Sequence, residues 1–157
     1  MSVRTILATA ILCLFLPSCI VFYPEVKGDR ILRFLDFREI MKSIDDSVYQ
    51  EIVEEISRRG LDEYFNILRS EIQCVSGGIF KFDGLFRNQQ KIKGYSSFDC
   101  AFVEEAANVT FDSWKMLIPT LRKTGSEIWV CFNPESPLDE TYKRFVTERQ
   151  YPDEKNG

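Results

Sequence analysis

The sequence has 157 residues, and its 45% hydrophobic content is sufficient for one domain with a buried core and argues against disorder. The 24 acidic and 20 basic residues are interspersed and give a net charge of -4, so no broad basic surface for a phosphate backbone is predicted. Histidine is absent, which excludes histidine-based triads, histidine general bases and imidazole metal ligands. Catalysis would have to use carboxylates, lysine, cysteine, serine or tyrosine.

The N-terminal segment has two interpretations. Residues 6–16 are mostly apolar, and residues 16–19 resemble the end of a bacterial lipoprotein signal, which would place the protein on a membrane. However, Pro17 is unusual in that motif, apolar residues continue after Cys19, and the run is shorter than the roughly 20 residues that span a bilayer. We favour a buried helix from Val3 to Leu16, ended by Pro17.

Cysteine usage indicates reduced thiols. The five cysteines contain no C-x-x-C pair, and most have apolar neighbours. A cysteine nucleophile would lack a histidine base. Five buried, reduced thiols in a cytosolic protein are therefore expected.

The first half of the chain predicts a strand, a helix and a hairpin. Residues 30–37 are rich in branched and aromatic side chains, which is typical of a buried strand. Apolar residues recur at every fourth position from Ile40 to Ile56, which indicates an amphipathic helix, and Gly60 suits its C-terminus. Residues 64–86 predict a hairpin that turns at residues 76–78. The polar tract that follows, residues 87–93, is predicted to be a loop.

The second half predicts strand, helix and strand. An apolar strand over residues 97–103 runs into two glutamates, and a helix capped by Thr110 is expected to kink or end at Pro119. Residues 126–132 predict another buried strand, terminated by Asn133. This order, with right-handed crossovers, predicts an α/β fold with a mostly parallel sheet flanked by helices.

Glu104, Glu105 and Asn133 each follow one of these strands. In parallel sheets ligands bind beyond the carboxyl ends of the strands, so the three side chains are expected at one site. Adjacent carboxylates there suit phosphoanhydride hydrolysis, because one can hold Mg²⁺ through its water shell while the next orients and deprotonates the attacking water. Asn133 would sense the γ-phosphate. Judged alone, the acidic pair more often marks an acidic helix N-terminus.

The sequence around the pair resembles the large terminase subunits of tailed bacteriophages, the ATPases that drive DNA into the capsid. The resemblance rests on a strand ending in EEA, the segment SW-x-x-L-x-PT-L-R, the segments SEIWVCFNP and LDETYKRFV, and RILRFLDFREIMKSIDDSV further upstream. Several spaced motifs in the family's order are more specific than an acidic pair.

The resemblance implies a RecA-like P-loop ATPase core that uses ATP and Mg²⁺. Glu104 matches the Walker B acidic residue that holds the metal, Glu105 the catalytic glutamate, and Asn133 the motif that couples hydrolysis to movement. Double-stranded viral DNA, the portal protein and the terminase small subunit are the implied partners, with a homo-oligomeric ring at the procapsid portal in the host cytoplasm.

The sequence departs from the family at one important place. It contains no G-x-x-x-x-G-K-[ST] motif, the main anchor for a triphosphate. We therefore expect a fragment that is inactive alone: an apolar helix and linker over residues 1–28, an ATPase-core fragment over 29–149 and a polar tail over 150–157. The family's nuclease domain would lie beyond the last residue. Arg38, Arg87 and Arg122 are alternative candidates for the arginine that stabilises transition-state charge.

Overall fold

The computed structural model describes residues 33–40, 48–86 and 89–149. The strands are β1 (Arg33–Arg38), β2 (Phe65–Leu68), β3 (Glu71–Cys74), β4 (Ile79–Gly84), β5 (Cys100–Val103) and β6 (Glu127–Val130). The α-helices are α1 (Val48–Arg58), α2 (Gln89–Lys93), α3 (Phe111–Leu117) and α4 (Glu140–Tyr142), and α4 continues as a π-helical turn, Lys143–Thr147. Short 3-10 turns cover Asp62–Tyr64, Ala106–Asn108 and Ile118–Thr120. Strands β2, β3 and β4 pair antiparallel in that order, strands β1, β5 and β6 pair parallel in that order, and helices flank the strands.

Strands β1, β5 and β6 form the parallel part of the sheet. Phe37 lies opposite Val103, and Val103 lies opposite Val130, so the three strands end in register. All four residues of β5 are buried, as expected for a strand covered on both faces. The predicted parallel α/β core is confirmed, and it brings the carboxyl ends of β1, β5 and β6 to one edge.

Strands β2 and β3 and the first four residues of β4 belong to a separate compact unit, which covers Arg33 and residues 48–82 of the described chain. Strands β3 and β4 form the predicted hairpin, and Gly77 takes the positive φ of 96° that its turn requires. Strands β2 and β3 also pair antiparallel, so residues 65–74 form two strands rather than the single one expected. Helix α1 buries Val48, Ile52 and Ile56 along one face, in agreement with its predicted amphipathic pattern, but Ile40, where that pattern begins, lies in an exposed bend before the helix.

The core of the second unit lies around α3. Thr110 caps this helix as predicted, with its hydroxyl accepting a hydrogen bond from the Ser113 amide, and the α-helix ends at Leu117 before Pro119. Trp114 is fully buried within a cluster of apolar side chains: Leu35, Phe37, Leu85, Ile92, Tyr95, Phe98, Ala101, Val103, Ala106, Val109 and Leu117. This cluster fixes the helix beside the parallel strands.

Two local predictions are wrong. Residues 89–93 form helix α2 instead of a loop, because Ile92 is completely buried and the Lys91 ammonium pairs with Asp83 at 2.8 Å. Strand β6 is half-exposed rather than buried, because it ends the strand order of the described sheet. Residues 87 and 88 lie outside the described part of the chain.

The cysteine prediction holds at two positions and fails at a third. Cys100 and Cys131 are free thiols, whereas Cys74 is disulfide-bonded, so the expectation of five reduced cysteines is wrong. The lipoprotein-like residues 16–19 and the predicted helix 3–16 lie outside the described residues. Among the residues described, no helix combines the length and apolar character needed to cross a membrane.

Candidate active site

The turn that follows β5 is held by both neighbouring strands. The Glu104 amide donates to the Phe37 carbonyl at 2.8 Å, so the pairing with β1 continues one residue past the strand. On the other side, the Cys131 amide donates to the Val103 carbonyl at 2.9 Å, and the Ala106 amide donates to the Cys131 carbonyl at 3.1 Å. The backbone of Glu104 and Glu105 is therefore fixed at the carboxyl edge of the parallel strands.

Glu104 is a buried charge with a direct counterion. Its carboxylate accepts from Nη2 of Arg38 at 2.6 Å, and the two side chains are only 6% and 13% exposed. Burial lowers the pKa of Arg38, but the hydrogen bond and charge of Glu104 outweigh burial, and its pKa is raised overall. The guanidinium thus remains charged and compensates the carboxylate.

Glu105 presents its carboxylate to solvent from an unusual backbone conformation. Its φ of 48° and ψ of 37° lie in the left-handed region, which is costly for a residue with a side chain. The side chain is 52% exposed, and its Oε1 lies 3.6 Å from Nη1 of Arg38. One guanidinium therefore contacts both predicted glutamates, and the structure brings Glu104 and Glu105 together.

Asp36 adds a third carboxyl group that the sequence analysis did not assign to the site. It lies on β1, is 3% exposed, and shares a side-chain hydrogen bond with Glu104. Burial and the adjacent Glu104 charge raise the pKa of Asp36 well above its usual value, although Arg38 opposes the shift. Its protonated form can donate to Glu104 and so relieves repulsion between the two carboxyls. The signal in the sequence is an aspartate inside an otherwise apolar strand.

Glu39 ties the end of β1 to the start of α3. Its buried Oε1 accepts from the hydroxyls of Thr110 and Ser113, both at 2.9 Å. Sequence analysis also missed this contact, because the partners lie more than seventy positions away along the chain. The effect is to anchor the helix that follows the acidic turn.

Within the described part of the chain, Asn133 and Arg122 are not bonded to the carboxylates. Asn133 is exposed beyond β6, and within the described residues its side chain makes no hydrogen bond to either glutamate. Arg122 lines an open cleft with Lys93 and Lys115 instead of contacting the acidic pair. Of the three candidate arginines, Arg38 contacts both glutamates, and Arg87 lies outside the described residues.

The chemistry of the site follows from its donor set. Among the described residues, no group of three or more aspartate, glutamate or cysteine side chains could enclose a metal ion. Mg²⁺ commonly keeps several waters and binds one or two carboxylates together with substrate phosphates. A single carboxylate at this edge would therefore be a suitable protein ligand for Mg²⁺ bound to a nucleotide. An exposed carboxylate beside a buried, charge-compensated one can also accept a proton from water.

Comparison with known proteins decides the family. The sequence model of the phage terminase large subunit matches residues 27–157. The chain belongs to that family. No curated protein gives a significant match.

Solved structures of large terminases share the fold of this family member. The large terminase of a thermophilic bacteriophage superposes with a TM-score of 0.60 at 15% identity, over 75% of this chain and 31% of its own. The large terminase ATPase domain of Thermus phage P74-26 gives a TM-score of 0.55 at 13% identity, over 68% of this chain and 49% of its own. These likenesses confirm the predicted RecA-like fold of a terminase ATPase domain. The present chain spans less than half the length of either solved chain.

Proposed function

We propose that this chain supplies the acidic half of the ATP-hydrolysing site in a terminase large subunit that drives double-stranded viral DNA into the capsid. The observation that carries the proposal is the pairing of buried Glu104 and exposed Glu105 on Arg38, at the carboxyl end of β5. The family match supports the proposal, because ligands of parallel α/β sheets bind beyond the carboxyl ends of the strands.

The two carboxylates have different tasks in this proposal. Glu104 pairs with Arg38, and its carboxylate would hold Mg²⁺ of the bound nucleotide through the metal's water shell. When bound, that ion supplies charge neutralisation to the phosphates. Glu105 faces solvent, so its carboxylate can orient the attacking water and accept its proton.

Asn133 and Arg38 complete the proposed roles. Arg38 keeps Glu104 and Glu105 close by offsetting their mutual repulsion, which at short range is considerable for two like charges. Asn133, on the loop after β6, would sense the γ-phosphate and couple hydrolysis to movement. Cys131, two residues earlier, links that loop to the acidic turn through its carbonyl.

A phosphate anchor is missing from these 157 residues, since they contain no G-x-x-x-x-G-K-[ST] motif. We therefore propose that the isolated chain does not turn over ATP. In a large subunit that carries this segment, the partners would be the viral DNA, the portal protein, the terminase small subunit and further copies in a ring. The site of action would be the procapsid portal in the host cytoplasm.

The role of Glu105 is tested by Glu105→Gln in a large subunit that contains this segment together with a phosphate loop. Loss of the proton acceptor should lower kcat by a factor on the order of 10²–10⁴ while nucleotide affinity is retained. Glu135→Gln is the matched control, because it makes the same isosteric change at an exposed loop position. Wild-type turnover in Glu105→Gln would refute the assignment.

The proposed incompleteness is tested on the 157-residue chain itself. We expect neither ATP turnover nor tight nucleotide binding by the purified chain. A hydrolysis rate that Glu105→Gln abolishes, or tight binding measured by calorimetry, would show that the chain contains a whole site.

A further inference from the structure

Thr141 forms a buried bridge between two helices and the turn that carries Glu105. The indole Nε1 of Trp114 donates to the Thr141 hydroxyl oxygen at 2.8 Å, and that hydroxyl donates to the carbonyl oxygen of Ala106. Trp114 and Thr141 are both completely buried. Two hydrogen bonds in series therefore connect α3, α4 and the residue that directly follows Glu105.

Ala106 is held at both of its backbone groups. Its amide donates to the Cys131 carbonyl at 3.1 Å, and its carbonyl accepts from the Val109 amide at 3.2 Å as well as from Thr141. The Val109 contact lies within the 3-10 turn of Ala106, whereas the Thr141 hydroxyl comes from a helix elsewhere in the fold. The orientation of the peptide group between Ala106 and Ala107 is thus fixed in part by a side chain 35 positions further along the chain.

Glu105 needs such support more than an ordinary loop residue does. Its left-handed backbone persists only where the surrounding structure determines it. Its half-exposed side chain lies 3.6 Å from Nη1 of Arg38, which is a longer contact than the 2.6 Å pair of Glu104. The left-handed backbone sets the direction in which the Glu105 side chain leaves the turn.

The segment that carries Thr141 is itself docked firmly. Phe145 packs on Trp114 with ring centroids 5.0 Å apart, edge to face. Arg144 pairs with Glu140 at 3.1 Å, and its guanidinium lies 5.8 Å from the centre of the Phe111 ring. These residues come from the SW and LDETYKRFV segments, to which the proposed hydrolytic roles assign nothing.

We propose that Thr141 is a positioning residue for Glu105. Its hydroxyl, oriented by the Trp114 indole, holds the Ala106 carbonyl and thereby keeps the left-handed turn that aims the Glu105 carboxylate. Threonine suits the position because one hydroxyl can accept from Trp114 and donate to Ala106 at the same time. The inference rests on the proposed role of Glu105 as the proton acceptor.

The geometry of the turn provides the first test, on the 157-residue chain. Thr141→Val keeps the side-chain volume and removes the hydroxyl, whereas Thr141→Ser removes a buried methyl and keeps the hydroxyl. We expect Thr141→Val to speed hydrogen exchange of the Ala106 amide about tenfold or more and to shift the Glu105 Cα resonance, with no change at Leu35 in β1. Thr141→Ser and the exposed control Thr147→Val should match the wild type.

The second test measures hydrolysis in a large subunit that carries this segment and a phosphate loop. Thr141→Val should lower kcat about ten- to a hundredfold at unchanged KM, because a small misplacement of a reacting group has effects of that size. Thr141→Ser should stay close to the wild type. A purely structural role predicts lower stability for both variants, because Thr141→Val removes the partner of two buried polar groups and Thr141→Ser leaves a cavity, but it predicts an unchanged kcat for each variant at a temperature where it is folded.

The outcomes separate this inference from the proposed function. If Glu105→Gln abolishes turnover but Thr141→Val has wild-type kcat and wild-type exchange at Ala106, the inference is wrong and the proposed function stands. If Glu105→Gln retains full turnover, the proposed function itself is wrong. If Thr141→Val does not fold, the same measurements on Thr141→Ala and Thr141→Ser test the inference. Both substitutions remove the methyl group, but only Thr141→Ala removes the hydroxyl.

Discussion

The β3–β4 hairpin and the end of β5 each carry a close ion pair, but the surroundings of the two pairs differ. On the hairpin, Lys81 and Glu71 meet at 2.8 Å with side chains 26% and 20% exposed. At the strand end, Arg38 and Glu104 meet at 2.6 Å with side chains 13% and 6% exposed. Water screens the first pair, so it contributes little to stability, whereas the second has lost much of its hydration.

The carboxyl groups respond in opposite directions in the two regions. The Lys81 hydrogen bond lowers the pKa of Glu71, as a surface cation normally does. At the strand end, burial raises the pKa of Asp36 and an adjacent carboxylate reinforces the shift. Concentrating buried acids at one place does not favour folding, and the proposed hydrolytic role would give a reason for the cluster.

The largest expected effect comes from Glu104→Ala. Removal of this carboxylate leaves the Arg38 cation buried without its closest counterion, so the free energy of unfolding should fall by about 3–5 kcal/mol. Denaturant titration of the purified chain measures it. A loss below about 1 kcal/mol would mean that the strand-end pair behaves like the hairpin pair.

Asp36→Asn should change how stability depends on pH. Because the folded-state pKa is raised, the folded chain binds more protons than the unfolded chain above the usual aspartate pKa of about 3.9. Stability from this group is therefore greatest at low pH and decreases as pH rises toward the folded-state pKa. Asparagine mimics the neutral acid and cannot ionise, so the decrease should be smaller in the variant. Urea unfolding across this pH range measures the free energy of unfolding of both proteins. If it falls with pH equally steeply in the wild type and in Asp36→Asn, the raised pKa of Asp36 is contradicted.

Glu105→Gly should stabilise the fold modestly while removing the proposed proton acceptor. Glycine relieves the cost of the left-handed backbone but loses more conformational entropy, so a gain of at most about 1 kcal/mol is expected. Thermal unfolding measures the change. Glu135→Gly, at a position without positive φ, should give no gain, and equal effects of the two substitutions would argue against strain at Glu105.

The smallest effect should come from Glu71→Ala on the hairpin. Loss of its pair with Lys81 should cost less than about 1 kcal/mol, and the cost should shrink further at high salt. Urea unfolding at two salt concentrations checks both points. A loss as large as that of Glu104→Ala would remove the contrast between the two regions.

Local rules predicted much of the fold from the sequence. The Thr110 cap, the helix end before Pro119 and the hairpin turn at Gly77 all depend on residues close in sequence, so their chemistry is visible there. The parallel order of β1, β5 and β6 followed from topological rules of similar generality.

Contacts between distant residues could not be predicted in this way. The sequence placed Glu104 and Glu105 at a strand end, but it gave no sign that Arg38 contacts both or that Asp36 lies beside Glu104. The left-handed backbone of Glu105 also lacks a signal, because glycine or asparagine usually marks such positions. Helix α2 was missed since one buried side chain, Ile92, is too weak a pattern to predict a helix.

Cys100 and Cys131, the free thiols among the described residues, offer a built-in means of observing the acidic turn. Burial, together with Glu127 and Asp99, raises the pKa of Cys100 to about 12, so at neutral pH this thiol is almost entirely protonated and slow to alkylate. Cys131 is half-exposed, and its carbonyl holds the Ala106 amide. Of these two cysteines, a maleimide dye should label Cys131, and its fluorescence would report movement of the loop that leads to Asn133.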